Sequence, residues 1–148
     1  MDIVRVTDNK KLFLDLLLLA DEQESMIDLY LERGEMFALY EEGVLIAECV
    51  VTDEGDGVYE IKNIAVYPQY QRQGCGKHLI DFLFEYYKTS CRIMFVGTGD
   101  SPLTIPFYTN CGFAYSHRIP DFYIKHYDHP IIEGGKQIVD MVYLKREF

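Results

Sequence analysis

At 148 residues and 49% hydrophobic, the chain is long enough to bury a sizeable core and too short to require a second domain. Twenty-four Asp and Glu against fourteen Lys and Arg give a net charge of -10, which argues against a nucleic-acid surface or an anionic membrane as partner and favours cationic small molecules or basic peptides. The four cysteines, at 49, 75, 91 and 111, lack C-x-x-C spacing and read as small buried hydrophobes in a reducing compartment. The run Leu12 to Ala20 is interrupted by Asp15 and has no small-residue cleavage pattern. No apolar stretch approaches membrane-spanning length, so the expectation is a soluble, cytoplasmic protein.

Met1 to Val6 alternates enough for a first strand, after which Thr7 or Asp8 caps a helix that turns Leu12, Leu16 and Leu19 inward. A second helix carries Met26, Leu29 and Tyr30 at helical spacing, with Gly34 as a left-handed stop. Met36 to Tyr40 and Val44 to Thr52 flank Glu41-Glu42-Gly43 as a hairpin, and Asp53 to Gly57 turns into an antiparallel strand, Val58 to Tyr67. Pro68 ends that strand because it has no N–H for the ladder. Leu79, Ile80, Leu83, Tyr86 and Tyr87 then recur at helical spacing, so a helix begins near Gly74 to Gly76. Cys91 to Val96 is a short apolar run, expected as a strand buried on both faces and parallel to the one before the helix, joined to it by a right-handed crossover. Residues 97–102 read as loop. A short helix starts near Thr104, which leaves Pro106 in its first turn, and it ends at Gly112. Phe113 to Arg118 and Ile138 to Lys145 are the remaining strands, and Ile119 to Gln137 between them is too long for a simple hairpin loop. The whole reads as one α/β domain, residues 1–148: a mixed, mostly antiparallel sheet of about seven strands flanked by helices, with an inserted segment between the last two strands.

The most informative stretch runs from Val66 to Leu79. Ile61 to Ile80 contains no acid yet holds Lys62, Arg72, Lys77 and His78, so an anion repelled by most of the surface is welcomed here. Gly74 and Gly76 leave backbone N–H groups with no side chain in front of them, at the positive end of a helix dipole. Gln71-x-x-Gly74-x-Gly76, preceded by Asn63-Ile64-Ala65-Val66 and followed by Phe107-Tyr108-x-x-x-Gly112-Phe113, resembles the GCN5-related N-acetyltransferase (GNAT) family over most of the chain.

The resemblance implies acetyl-CoA as co-substrate, its pyrophosphate on the loop formed by Gln71, Arg72, Gln73, Gly74, Cys75, Gly76 and Lys77, and its peptide-like pantetheine arm paired along Ile64, Ala65 and Val66. It implies Tyr108 as the acid that protonates the departing thiolate. A phenol with a pKa of about 10 is protonated at neutral pH and is able to donate to a thiolate whose conjugate acid sits near 8.5. Many members place an Asn seven residues before the tyrosine to hold the pantetheine; here that position is Ser101, beside Asp100. Some members carry a basic Glu on the strand equivalent to Cys91 to Thr98. This chain has none there, and Glu60 is the best substitute, acting through water.

The inserted segment is dense in aromatic and titratable groups. Tyr123 and Tyr127 offer aromatic faces to a cationic amine, with Asp128 or Glu133 as counter-charge; plain packing of an amphipathic helix over the sheet is the competing reading. His117, His126, Asp128 and His129 match no established metal spacing, so no metal is expected. The pattern His-Tyr-x-x-Pro-Ile-x-Glu-x-Gly followed by Asp140-Met141 is similar to tails of some uncharacterised bacterial members. The expectation is an acetyl-CoA-dependent N-acetyltransferase that transfers acetyl directly to a primary amine of a small molecule or peptide, as a monomer or a homodimer. The alternative is a catalytically inactive acyl-CoA-binding sensor or interaction module.

Overall fold

Two turns that require positive φ set the register of the first half of the sheet. Glu42 and Gly43 (φ 50° and 80°) join β2 (Glu35–Glu41) to β3 (Val44–Gly55), and Asp56 and Gly57 (φ 57° and 76°) join β3 to β4 (Val58–Val66). Positive φ at both central positions gives the backbone twist that matches paired strands. β1 (Asp2–Val6) pairs antiparallel with β2, from Asp2 opposite Tyr40 to Val6 opposite Met36. The computed structural model describes residues 1–148.

After β4 come a helix, α3 (Cys75–Tyr87), and β5 (Ile93–Gly99), which runs parallel to β4 as the crossover predicts. The main sheet has seven strands in the order β1-β2-β3-β4-β5-β9-β6, with β6 at Ala114–Ile119 and β9 at Met141–Glu147. On one face, Leu79, Ile80, Leu83 and Tyr87 of α3 pack on Phe37, Cys49, Val51, Ile61 and Met94. On the other, α1 (Leu14–Ala20) and α2 (Glu24–Ile27) cover Met36 and Val50 with Leu17, Ile27, Tyr30 and Leu31. β3 is covered on both sides, so seven consecutive residues, Ile46 to Thr52, are buried.

The N-terminal helices differ from the sequence expectation in phase. Leu16 is fully buried as expected, but Leu12 is 83% and Leu19 50% exposed, and Leu17 takes the inward place. The chain enters α1 through a 3-10 turn at Lys10–Phe13, whose tighter winding rotates the inward face, and the residue at its start is Asn9 (φ 53°) rather than Thr7 or Asp8. α2 is a single turn, and its continuation buries Tyr30 and Leu31 while leaving Leu29 68% exposed.

Gly34 is not left-handed. Its role is proximity: a Cβ there would lie 2.6 Å from Val50 Cγ1 and 3.0 Å from the Tyr30 carbonyl oxygen. What closes this turn is the buried ammonium of Lys10, which donates to the carbonyls of Leu31, Glu32 and Gly34 at 3.0, 3.3 and 2.7 Å.

The second half departs in two places. β5 runs on through Gly97 to Gly99, because Met141, Tyr143 and Ile138 pack where Cβ atoms would stand. The insertion contains α5 (Phe122–His126) and a separate hairpin, β7 (Ile131–Glu133) and β8 (Lys136–Ile138), turned by Gly134 and Gly135 at φ 57° and 76°. Ile138 therefore belongs to that hairpin, and the last strand begins at Met141.

Replacing Gly34 by Ala should destabilise the fold by about 1–3 kcal/mol, since the added Cβ would overlap the buried Val50 branch and press on the Tyr30 carbonyl oxygen. Urea unfolding of Gly34→Ala, Val50→Ala and the double variant checks this. The two changes should be strongly non-additive, the double variant losing less than the sum; simple additivity would mean that Gly34 serves the backbone instead.

Candidate active site

The pocket opens where β4 and β5 stop pairing. Their parallel ladder runs from Val58 opposite Ile93 to Ile61 opposite Val96, although β4 continues to Val66 and β5 to Gly99. A bulge accounts for the parting. In the β3–β4 ladder Val50 faces Asn63 and Val51 faces Ile61, so Lys62 is the extra residue, and the strand bends there. Beyond the bulge the β5-facing edge of β4 is left without a neighbouring strand, while its other edge stays paired with β3 as far as Ala47 opposite Val66.

The resulting cavity of about 210 Å3 is bounded by Ile61 to Val66 on one side and Val96 to Gly99 on the other. Thr104 and Tyr108 close it from α4 (Ile105–Asn110) and the residue before it, Leu19 and Ala20 from the end of α1, and Tyr123 and Glu133 from the insertion. Of the sequence candidates, Ile64, Ala65, Val66, Gln71, Tyr108, Tyr123 and Glu133 are thus brought to one place. Gln71 donates its side-chain N–H to the Val66 carbonyl at 3.0 Å, which ties the glycine loop to the end of β4.

Arg72, Gln73, Gly74, Cys75, Gly76 and Lys77 form the loop and first turn next to this pocket. Gly74 precedes α3 at φ 83°, and the first helical bond is His78 N–H to the Gly74 carbonyl at 2.9 Å. The N–H groups of Cys75, Gly76 and Lys77 lie ahead of that bond and are the uncommitted donors of the helix start. Gly76 has a further reason to be glycine: a Cβ there would meet the Phe107 ring at 2.9 Å, where α3 crosses α4. Lys77 is paired with Asp81 at 2.9 Å.

Three candidates lie elsewhere. Ser101 is 1% exposed, and its hydroxyl accepts the Leu103 N–H at 3.1 Å, holding the turn before α4. Tyr127 donates to Asp21 Oδ1 at 2.7 Å, which joins the insertion to the α1–α2 connection. Glu60 is not on the pocket wall; its Oε2 accepts from Tyr143 at 3.1 Å and pairs with Lys62 at 3.1 Å, and it is Lys62 that lines the pocket.

Asn63, Thr98 and Thr104 line the pocket and were not singled out from sequence. Thr98 and Thr104 share a hydroxyl hydrogen bond at 2.7 Å. The signal for Thr98 was masked by reading 97–102 as loop, and Asn63 was visible only as part of the motif preceding the glycines.

The electrostatics favour a neutral phenol. Tyr108 is 8% exposed and its hydroxyl has no partner in the chain; burial above all, and then the nearby Glu133 carboxylate, hold it above the usual phenol range. Tyr123 is raised in the same way, by burial and then by Glu133. Burial also raises the Cys111 thiol, the only sulfur beside Tyr108 in sequence. No three His, Cys, Asp or Glu side chains come together as a metal site.

The sequence profile of the acetyltransferase (GNAT) domain family matches residues 32–115. An uncharacterised N-acetyltransferase of Bacillus subtilis (strain 168), YvbK, is 38% identical over 132 residues, 88% of this chain and 85% of that protein. Two solved structures superpose along nearly the whole length. A GNAT family acetyltransferase from Elizabethkingia anophelis with acetyl-CoA bound has a TM-score of 0.94 at 32% identity, covering 99% of this chain and 97% of that one. A Bacillus subtilis acetyltransferase in complex with CoA has a TM-score of 0.91 at 34% identity, with the same coverage. A strand pair parted at a bulge, a helix start with free N–H groups and matching relatives at this identity converge on one conclusion: the chain is an N-acetyltransferase of the GNAT family.

Proposed function

We propose that this protein transfers the acetyl group of acetyl-CoA directly to a primary amine, with Tyr108 as the general acid. The observation that carries the reading is the unpaired edge of β4, which leads from the free N–H groups at the start of α3 to the unbonded hydroxyl of Tyr108. Acetyl-CoA supplies the activated thioester. The N–H groups of Cys75, Gly76 and Lys77 bind its pyrophosphate, and the β4 edge at Ile64 to Val66 pairs with the amides of its pantetheine arm as an added strand would. A β4 N–H in the gap donates to the carbonyl oxygen as negative charge develops on it.

Tyr108 gives its proton to the departing sulfur, a role for which a phenol kept neutral by burial suits it. Glu60, held by Tyr143 and Lys62 one residue from the pocket wall, takes the first proton of the ammonium through water, and the second, shed by the nitrogen as the amide forms, restores the Tyr108 hydroxyl. Transfer is direct. The thiol nearest Tyr108 in sequence, Cys111, is pushed up by burial and is a poor nucleophile. Tyr123 and Glu133 form the acceptor end of the pocket, and Tyr127 acts on it indirectly, by fixing the insertion through Asp21.

Gly74→Val forces a branched residue into a left-handed backbone at the phosphate site, so CoA affinity measured by calorimetry should fall by roughly tenfold or more. Unchanged affinity in a folded variant would place the pyrophosphate elsewhere. Position 76 is the weaker probe, because any side chain there also strikes Phe107.

Tyr108→Phe should lower turnover with the best amine of a thiol-release panel by roughly tenfold to a thousandfold and leave CoA binding nearly intact. If the rate is unchanged, water and not the phenol protonates the sulfur.

For Glu60→Gln, a loss of roughly a hundredfold in kcat at constant CoA affinity is expected, within the range for a general base. The loss should shrink as pH rises towards the pKa of the amine, where the substrate arrives already neutral. A full rate at neutral pH would remove Glu60 from the mechanism.

A further inference from the structure

Four buried side-chain oxygens in the molecule have no hydrogen-bond partner: both of Glu48, Oδ1 of Asn63 and Oε2 of Glu133. Asn63 and Glu133 line the same pocket, one from β4 and the other from β7. A buried acceptor with no donor costs free energy, so a pocket lined by two residues that each carry one is matched to a ligand that brings N–H groups.

The orientation of Asn63 is fixed by its surroundings. Its Nδ2 donates to the Leu17 carbonyl at 3.0 Å, which only accepts, and to the Tyr30 hydroxyl at 3.1 Å, whose own proton goes to Asp21 Oδ2 at 2.9 Å. The amide therefore cannot turn over, and Oδ1 is the end left without a donor. Glu133 is the only acid on the pocket wall, and the only other charged residue there, Lys62, is already neutralised by Glu60. The unbalanced charge facing a ligand is therefore negative. Glu48 adds no counter-charge to it: it is fully enclosed, and burial pushes its carboxyl towards the neutral form.

We infer that Asn63 Oδ1 and Glu133 Oε2 are the recognition pair for the acceptor's reacting nitrogen, and that the pair selects a primary ammonium over N,N-dimethylated amines and hydroxyl acceptors. The inference deepens the acetyl-transfer reading and rests on it for the chemical step alone. A primary ammonium has three N–H bonds. Two of them go to Asn63 and Glu133; the third is the one lost on deprotonation, so the lone pair emerges on the side away from both oxygens, and the nitrogen is oriented as well as bound. A dimethylated ammonium carries one N–H and leaves an acceptor unmet, and a hydroxyl brings one donor and no charge.

Binding tests this independently of turnover. The CoA-loaded protein is titrated calorimetrically with butylamine, 2-phenylethylamine and glycylglycine amide, each beside its N,N-dimethyl form. The tightest primary amine should bind at least about tenfold more strongly than its dimethyl counterpart, and Glu133→Gln should weaken it by about tenfold to a hundredfold with CoA affinity unchanged. Asn63→Leu should weaken it similarly, but Nδ2 also holds Leu17 and Tyr30, so Glu133→Gln is the decisive variant if Asn63→Leu melts early. Equal binding of primary and dimethyl amines, an unchanged affinity in Glu133→Gln, or no binding by any primary amine of the panel overturns the inference. Selective binding without thiol release would support the recognition pair and refute acetyl transfer.

Discussion

The parting of β4 from β5 is the constraint on which the rest of the site depends. A sheet interior normally leaves no backbone group free, because unpaired buried N–H and C=O groups are costly. Here one extra residue, Lys62, bends β4 out of register just where the parallel ladder ends, and the two strands keep their outer partners β3 and β9. The gap is therefore held open from both sides by complete ladders. An open edge at a sheet margin would invite pairing with any strand. An edge enclosed in a cleft between two strands is shielded from such pairing.

The walls of that cleft are joined by a short polar network centred on Asp21. Its carboxylate accepts from Tyr30 and Tyr127, and Tyr30 in turn accepts from Asn63 on β4. One side chain thus connects the α1–α2 connection, the bent strand and the insertion. Burial raises Asp21 above the ordinary carboxylate range, and its two phenol donors oppose that shift. The contact is reinforced nearby, where the Asp128 N–H donates to Gln23 Oε1 at 2.9 Å. Tyr127, expected on sequence grounds as a substrate-binding residue, helps through Asp21 to decide where the pocket-lining residues Tyr123 and Glu133 stand.

What was legible in the sequence was whatever leaves a local signature. Glu42-Gly43 and Asp56-Gly57 declare their turns because positive φ restricts residue choice, and the glycine loop declares the start of α3 for the same reason. That Tyr108 stands on the pocket wall agrees with its place in the motif Phe107-Tyr108-x-x-x-Gly112-Phe113. Features decided by distant packing were not readable. Gly34, Gly97 and Gly99 are glycine because Val50, Tyr143 and Ile138 occupy the neighbouring space, which no local rule indicates. The phase of α1 depended on a 3-10 turn that apolar spacing cannot distinguish from a straight helix start. Ser101 and Thr98 show the limit at the site: both are small hydroxyl residues near the end of β5, and only the strand's extra length decides that Thr98 lines the cavity while Ser101 holds a turn.

The distribution of charge gives the cleft a direction. Two of the three Lys and Arg residues in the acid-free stretch are already neutralised, Lys62 by Glu60 and Lys77 by Asp81, so the attraction for an anion at the loop falls mainly to backbone N–H groups and to Arg72. Backbone donors are fixed in place and cannot fold back onto a neighbouring acid as a lysine does. At the other end the balance is reversed, with Glu133 unpaired beneath a surface that is acidic overall. On the proposed reading, an anionic carrier is drawn to the loop beside the cavity of about 210 Å3 and a cationic acceptor to the cavity's Glu133 end, each disfavoured where the other belongs.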